Sequence, residues 1–405
     1  MTKSQILLVL PANTYRAQRF LDAARKLDVG VVIATDSDFS PPDYSNSVID
    51  SFSFCDPKLA GANLAAEAKR RGISRVLAVD EAGVEVAEWT RTALEGRSVA
   101  NPGILATRNK ASLRKILQKQ GIAQPRQFQI SQSDDLFSKE IEFPVIVKPS
   151  KGSGSLGVTL ANDYQELEFS LEIVNNLVVT TNIDRQQIIV EEFIPGDEYA
   201  VEVLVEDFNP MILAVFEKPD PLDGPYFAET IYITPPRLDT ENLTNLEDTV
   251  LKCIVALGVK EGPIHMELRL TPSFTWVPID IAARSIGGNC SDALQFTAAE
   301  SLEELILKNV FAHKLSGITR EHQASGVYMI PITKAGTLKQ VDGIDEANKV
   351  RFVNKIEITL ATGSKVLPLP YDNQYLGFIF AKAPTTTAVE KALREAYAQL
   401  DIKIE

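Results

Sequence analysis

"VIVKPSKGSGSLGVTL", Val145–Leu160, decides how the chain is read. Gly152, Gly154 and Gly157 stand in a G-x-G-x-x-G spacing. That spacing occurs in dinucleotide-binding turns, in phosphate-covering loops and in plain glycine-rich surface turns. A dinucleotide turn needs a strand before the glycines and a helix directly after them, because the pyrophosphate rests on the helix N-terminus. Here "VTLAN" follows, which is β-branched, apolar and strand-like. No strand-ending acid follows at the spacing a ribose contact needs, and no Gly-Lys-Ser/Thr closes the loop as in a Walker motif. What remains is a strand–loop–strand hairpin. Its small residues, Gly152, Ser153, Gly154, Ser155 and Gly157, let backbone N–H groups approach phosphate oxygens. Lys148 and Lys151 add positive charge. Lys148 lies on an otherwise apolar strand, so it needs an anionic partner or a route to solvent. A flexible surface turn is the competing reading of the loop alone.

The bulk composition narrows the setting. The 405 residues are 45% hydrophobic and 23% charged, with a net charge of -13. Such a chain is long enough for several domains with real cores. The acidic balance argues against nucleic acid as the main partner, which needs a basic surface. Three cysteines lie far apart without C-x-x-C spacing, and three histidines are too few for a His-built zinc site. "ILLVL" near the start is too short for a leader and reads as a first buried strand. No apolar run is long enough to span a membrane. A cytoplasmic protein is expected.

Outward from the loop, residues 1–108 alternate strand and helix signals, which implies a parallel sheet with helices on its faces. "NKASLRKILQKQGI" is a basic amphipathic helix. Residues 109–315 carry several strands rich in antiparallel pairs, with a lid at about 142–204. Residues 316–405 read as a small α+β piece. Glu267 and Asp280 fall on two predicted strands joined by "TPSF", so pairing brings them side by side. Two buried carboxylates are costly without a cation, and hard oxygens suit Mg²⁺. His265 shares a strand face with Glu267 by the period of two; a site wall and a packed core position are equally good readings of it. Cys290 lacks an obvious base.

In this order, "RNKASLRKIL", "FPVIVKPSKGSGSLGV", "VEEFIPGDEYAVEV", "HMELRL" and "IDIAARSIGG" resemble the ATP-grasp family. "KPDPLDGPYFAETIYITPPRL" resembles the substrate-side segment of its carboxylate–amine ligases, bacterial L-amino-acid ligases among them. The resemblance implies an α/β and α+β architecture: a Rossmann-like N-terminal domain, an ATP-grasp domain with a lid, and a C-terminal subdomain. It implies ATP and Mg²⁺, or Mn²⁺ in its place, as cofactors. Lys110 would be a first ATP lysine. Glu191, Glu192, Phe193 and Ile194 would form the adenine hinge, and Glu198 would meet the ribose. Glu267 and Asp280 would hold metal, although Ala282 stands where the family usually has Asn. Arg284 would hold the transferred phosphoryl group. Ser285, Gly287 and Gly288 would receive substrate oxygens, with Asn289 in the same loop, and Glu229 would bind the first substrate's amino group. The partners implied are a small carboxylate, a small amine and, by resemblance alone, a second copy in a homodimer. Biotin carboxylase-like and glycinamide ribonucleotide synthetase-like enzymes, a non-catalytic ATP-binding module and a dinucleotide oxidoreductase are the alternatives.

Overall fold

Alternating strand and helix signals at the start of the chain build a parallel sheet. A computed structural model describes residues 4–11, 14–36, 47–49, 53–128, 140–180 and 188–405. β1 (Gln5–Val9), β2 (Gly30–Ala34), β3 (Ser47–Ile49) and β4 (Val76–Ala78) pair in parallel in the order β3-β2-β1-β4. β1 and β2 are buried almost throughout, as strands covered on both faces must be.

The glycine stretch is the expected hairpin. β5 (Gln127–Phe128), β6 (Val145–Pro149), β7 (Thr159–Ala161) and β8 (Ile188–Glu192) form a sheet in the order β5-β8-β6-β7. β6 and β7 run antiparallel, with Val147 opposite Thr159, and the loop joins them. Gly154 and Gly157 have φ of 62° and 70°, a left-handed conformation that glycine adopts without strain. A Cβ on Gly154 would also come within 2.8 Å of Asn373 Nδ2. Three hydrogen bonds tie the hairpin to segments that follow it in the chain. Asn373 Nδ2 donates to Ser153 O (3.0 Å), Gly157 N to Pro370 O (3.0 Å) and Leu160 N to Pro225 O (2.9 Å).

The lid sheet begins at β5, before the expected position 142. It ends at β8, because β9 (Asp197–Glu206) pairs elsewhere. β9, β10 (Asn209–Glu217), β11 (Ile231–Thr234), β12 (Gly262–Leu270) and β13 (Trp276–Ala282) belong to a central sheet. β14 (Ala324–Pro331), β15 (Gly336–Asp342), β16 (Val353–Ile358), β17 (Lys365–Val366), β18 (Tyr375–Ala383) and β19 (Asp401–Ile404) follow. The central order is β13-β12-β9-β10-β11-β14-β18-β16. The C-terminal region expected as a separate piece thus contributes three strands to this sheet, while β15, β17 and β19 form a small one.

Strand alternation decides what the central sheet presents on each face. Val201, Val203 and Val205 of β9 and Ile264, Met266 and Leu268 of β12 enter one core. There they meet Leu246, Val250, Ile254 and Leu257, the apolar stripe of the helix Thr240–Leu257. Ala200 and Leu204 enter the opposite core, against the helix Leu302–Val310. Glu198 and Glu202 share that second face with them, and so do His265, Glu267 and Arg269 of β12, in alternation with the apolar residues. One face of the central sheet therefore carries a row of buried polar side chains.

Candidate active site

The lid lysine and its partners come from three elements. Lys148 of β6 is buried and its Nζ meets the Glu191 carboxylate on β8. Arg114, on the helix Lys110–Lys119, grips the same carboxylate with Nε and Nη2, both at 3.1 Å. Burial opposes ionisation of Glu191, yet Arg114 and Lys148 outweigh it and hold the carboxyl at about 2. Burial pushes the Lys148 ammonium down. Glu191, Glu192, Phe193 and Ile194, expected at an adenine hinge, all line the cleft beneath the lid, together with Glu198. The carboxylate of Glu191 is at the same time engaged by two buried cations.

Asn109 places the next lysine. Its side chain caps the helix by accepting from Ser112 N (2.9 Å) and also accepts from Ser150 Oγ (3.0 Å), fixing the helix start to the end of β6. Lys110 Nζ then donates to Gly152 O at 3.0 Å and stands 3.0 Å from Asp280 Oδ2. Lys151 lines the cleft and pairs with Glu85 at 3.6 Å.

Glu267 and Asp280 lie directly opposite each other in the β12–β13 register, with an irregularity immediately after Glu267. The spacing inferred from the sequence is thus real. Each carboxylate faces a cation of the chain, Asp280 meeting Lys110 and Glu267 meeting Lys218. Lys218 follows the end of β10 and lies 2.6 Å from Glu198, 2.8 Å from Glu229 and 3.1 Å from Glu267. Oxygens of those three glutamates lie within 4.8 Å of one another. Glu198, Glu229 and Glu267 form an all-oxygen set of the kind that fits a hard divalent cation, whereas Asp280, in register with Glu267, stands outside that set and against Lys110. Burial works against Glu267, but Lys218 and His265 hold its carboxyl well below the ordinary range, whereas burial and Glu267 raise Glu229. Glu198, expected at a ribose, is also held by Arg269 Nε at 2.9 Å. Glu229 also accepts from Tyr232 Oη at 2.6 Å.

A second, wider cavity of about 700 Å³ adjoins this cleft, and Ser153, Gly154, Glu229 and Glu267 line both. Arg284, His265, Gly287 and Gly288 face the wider one. Arg284 is buried, and its Nε donates to Glu81 at 2.6 Å, across the boundary with the N-terminal domain. Burial is again the largest influence on Glu81, and Arg284 and Arg108 overcome it to hold the carboxyl at about 2. His265 serves both of its expected readings. Its Nδ1 is against Glu202 at 2.5 Å in the interior, while Nε2 points to Glu267 at 3.8 Å. Burial would lower its pKa, but Glu202 and Glu267 raise it to about 9. Ser285 does not line the cavity. It lies beneath the loop, where its carbonyl accepts from Arg16 and Arg284, each at 2.9 Å. The Gly288 N–H donates to Tyr15 Oη at 2.9 Å, so it already has an acceptor. Cys290 is buried with its thiol pushed far up by burial, as expected of an inert thiol.

Arg114, Lys218, Arg269 and Glu81 were not singled out from the sequence. Three of them carried a signal. Arg114 is four residues after Lys110 and shares its helix face. Arg269 is two after Glu267, and Lys218 closes the apolar run "MILAVFEK", much as Lys148 closes "VIVK". Glu81 had no such mark, because its partners are distant in sequence.

The ATP-grasp domain family matches residues 141–293, and the L-amino acid ligase C-terminal domain 2 family matches residues 328–405. The chain carries an ATP-grasp domain. Its C-terminal stretch matches a domain described from L-amino acid ligases. Alanine–anticapsin ligase of Bacillus subtilis is 26% identical over 49% of this chain and 46% of its own length. An L-arginine-specific L-amino acid ligase of Bacillus subtilis is 24% identical over 66% of each chain. An L-amino acid ligase from Bacillus licheniformis superposes with a TM-score of 0.81 at 25% identity, covering 100% of both chains. This chain spans about half to three-fifths of the length of the first curated relatives, 61% and 46%. No helix among the described residues is long and apolar enough to cross a membrane.

Proposed function

We infer that the protein is an ATP-dependent carboxylate–amine ligase that joins amino acids and releases ADP and phosphate. One observation carries this reading: the lid cleft and the wider cavity share a wall built of Ser153, Gly154, Glu229 and Glu267. A nucleotide in the first and a substrate in the second would therefore be neighbours across that wall.

The chemistry follows from the side chains present. ATP lies under the hairpin, with Lys110, Lys148 and Lys151 toward its phosphates and Phe193 and Ile194 against its base. A substrate carboxylate in the wider cavity attacks the γ-phosphorus, and ADP departs. Arg284, held by Glu81, neutralises the charge that spreads over the transferred oxygens. An amine then attacks the acyl-phosphate carbon, forming the amide and expelling phosphate. The closed hairpin excludes water that would hydrolyse the intermediate. Glu229 faces the first substrate's amino group. Glu267 and Asp280 would hold Mg²⁺ or Mn²⁺, which supplies charge neutralisation at the phosphate oxygens. The proposed compartment is the cytoplasm, and a homodimer is proposed by resemblance alone.

A biotin carboxylase and a phosphoribosylglycinamide synthetase share the fold at 16% and 15% identity. The C-terminal match to L-amino acid ligases favours amino acids over their substrates. The test is a phosphate-release screen of amino-acid pairs with Mg-ATP, with mass spectrometry of products, repeated on Arg284→Ala. The variant is expected to bind ATP and to lose about 100- to 1000-fold in turnover. Full turnover in the variant refutes the assignment.

A further inference from the structure

Arg16, at the start of the helix Ala17–Lys26, lines the wider cavity and is only 7% exposed. Its Nη1 donates to Ser285 O at 2.9 Å, which sets the guanidinium against the substrate loop. Its Nε is buried with no hydrogen-bond partner. The closest carboxylate, Asp80, is 4.0 Å away and already accepts from Thr14 Oγ1 at 2.6 Å. Arg284 is beside it, donating to the same Ser285 carbonyl, and Arg284 shares Glu81 with Arg108. Asp80, Glu229, Glu267 and Asp372 also line this cavity, so what marks Arg16 is its unused donor and not the net charge. A buried guanidinium with an unused donor is costly unless an acceptor completes it.

The loop beside it packs closely on the guanidinium, since a Cβ on Gly287 would come within 2.8 Å of Arg16 Nη2. The space for an anion is the adjoining cavity of about 700 Å³, which Arg16 lines. A small planar anion suits the guanidinium fork there. Building on the ligase reading, we propose that Arg16 binds the free carboxylate of the amine acceptor. It thereby selects α-amino acids over amines that lack a carboxylate. The N-terminal domain is then part of the acceptor site, beyond its support of Arg284.

The test separates acceptor recognition from acyl-phosphate formation. Hydroxylamine has no carboxylate and traps an acyl-phosphate as a hydroxamate. Wild-type protein is expected to form hydroxamate from a donor amino acid, ATP and hydroxylamine. It is also expected to prefer an L-amino acid acceptor over the corresponding carboxamide. In Arg16→Gln, KM for the amino acid acceptor should rise about 10- to 100-fold, the worth of a hydrogen bond to a charged group, with hydroxamate formation reduced far less. Arg16→Lys should recover part of the affinity. Equal losses with hydroxylamine and amino acid would mean that Arg16 only supports the loop, and would overturn the proposal. Equal use of acid and carboxamide by the wild type overturns it without any variant. Absence of hydroxamate with every amino acid would instead refute the ligase reading, and this proposal with it.

Discussion

Glu191→Gln is the sharpest test of how the lid is held. The substitution keeps the side-chain shape and removes one charge. It leaves Arg114 and Lys148, both nearly inaccessible, without their shared anion. Removing one partner of a buried ion pair costs about 3–5 kcal/mol, because the remaining charge stays desolvated. The titration behaviour gives a second measure. A carboxyl held at about 2 instead of its ordinary 4.5 corresponds to roughly 3 kcal/mol. That contribution is fully present above pH 4.5 and is lost as pH falls toward 2, so a neutral-pH comparison captures all of it. Glu191→Gln should therefore lose about 3–4 kcal/mol in urea denaturation at pH 7. Adding Lys148→Met should restore some stability, since one stranded cation is removed. A loss below about 1 kcal/mol, the range of a surface pair, would show that these charges are hydrated, and the reasoning would fail.

Two further outcomes follow from the same electrostatics. His265 is held at about 9 against an ordinary 6.5, so its stabilisation is complete below pH 6.5 and disappears as pH rises through 9, a difference of roughly 3 kcal/mol. The stability of the wild type should fall across that range more steeply than that of His265→Gln; parallel profiles would refute the pairing. Lys218→Met leaves Glu198, Glu229 and Glu267 without their common ammonium and should cost about 3–5 kcal/mol. Millimolar Mg²⁺ should recover part of that loss, because a cation bound only by the folded state stabilises it. An equal response to Mg²⁺ in wild type and variant would rule out a cation site among these acids.

Local patterns in the sequence carried most of the fold. The hairpin was legible because "VTLAN" cannot start a helix, and the pairing of Glu267 with Asp280 because both strands and the turn between them are contiguous. Lid and domain limits were less legible, since β5 and the C-terminal strands join their sheets through pairings far apart in sequence. The same reason hid the counter-ions. Nothing near Glu191 announces Arg114, and nothing near Arg284 announces Glu81; only the folded sheet places them together. The acids and lysines were readable as reactive groups, but which ones neutralise each other was not.

The ties between the hairpin and the segment Pro370–Asn373 bear on traffic through the molecule. Asn373 fastens the loop through Ser153, and it also walls the wider cavity together with Gln374 and Tyr375. Any lifting of the hairpin breaks that tether and frees a residue of the second chamber's wall. For the reaction proposed, opening of the nucleotide cleft and loosening of the substrate chamber are thereby coupled at Asn373.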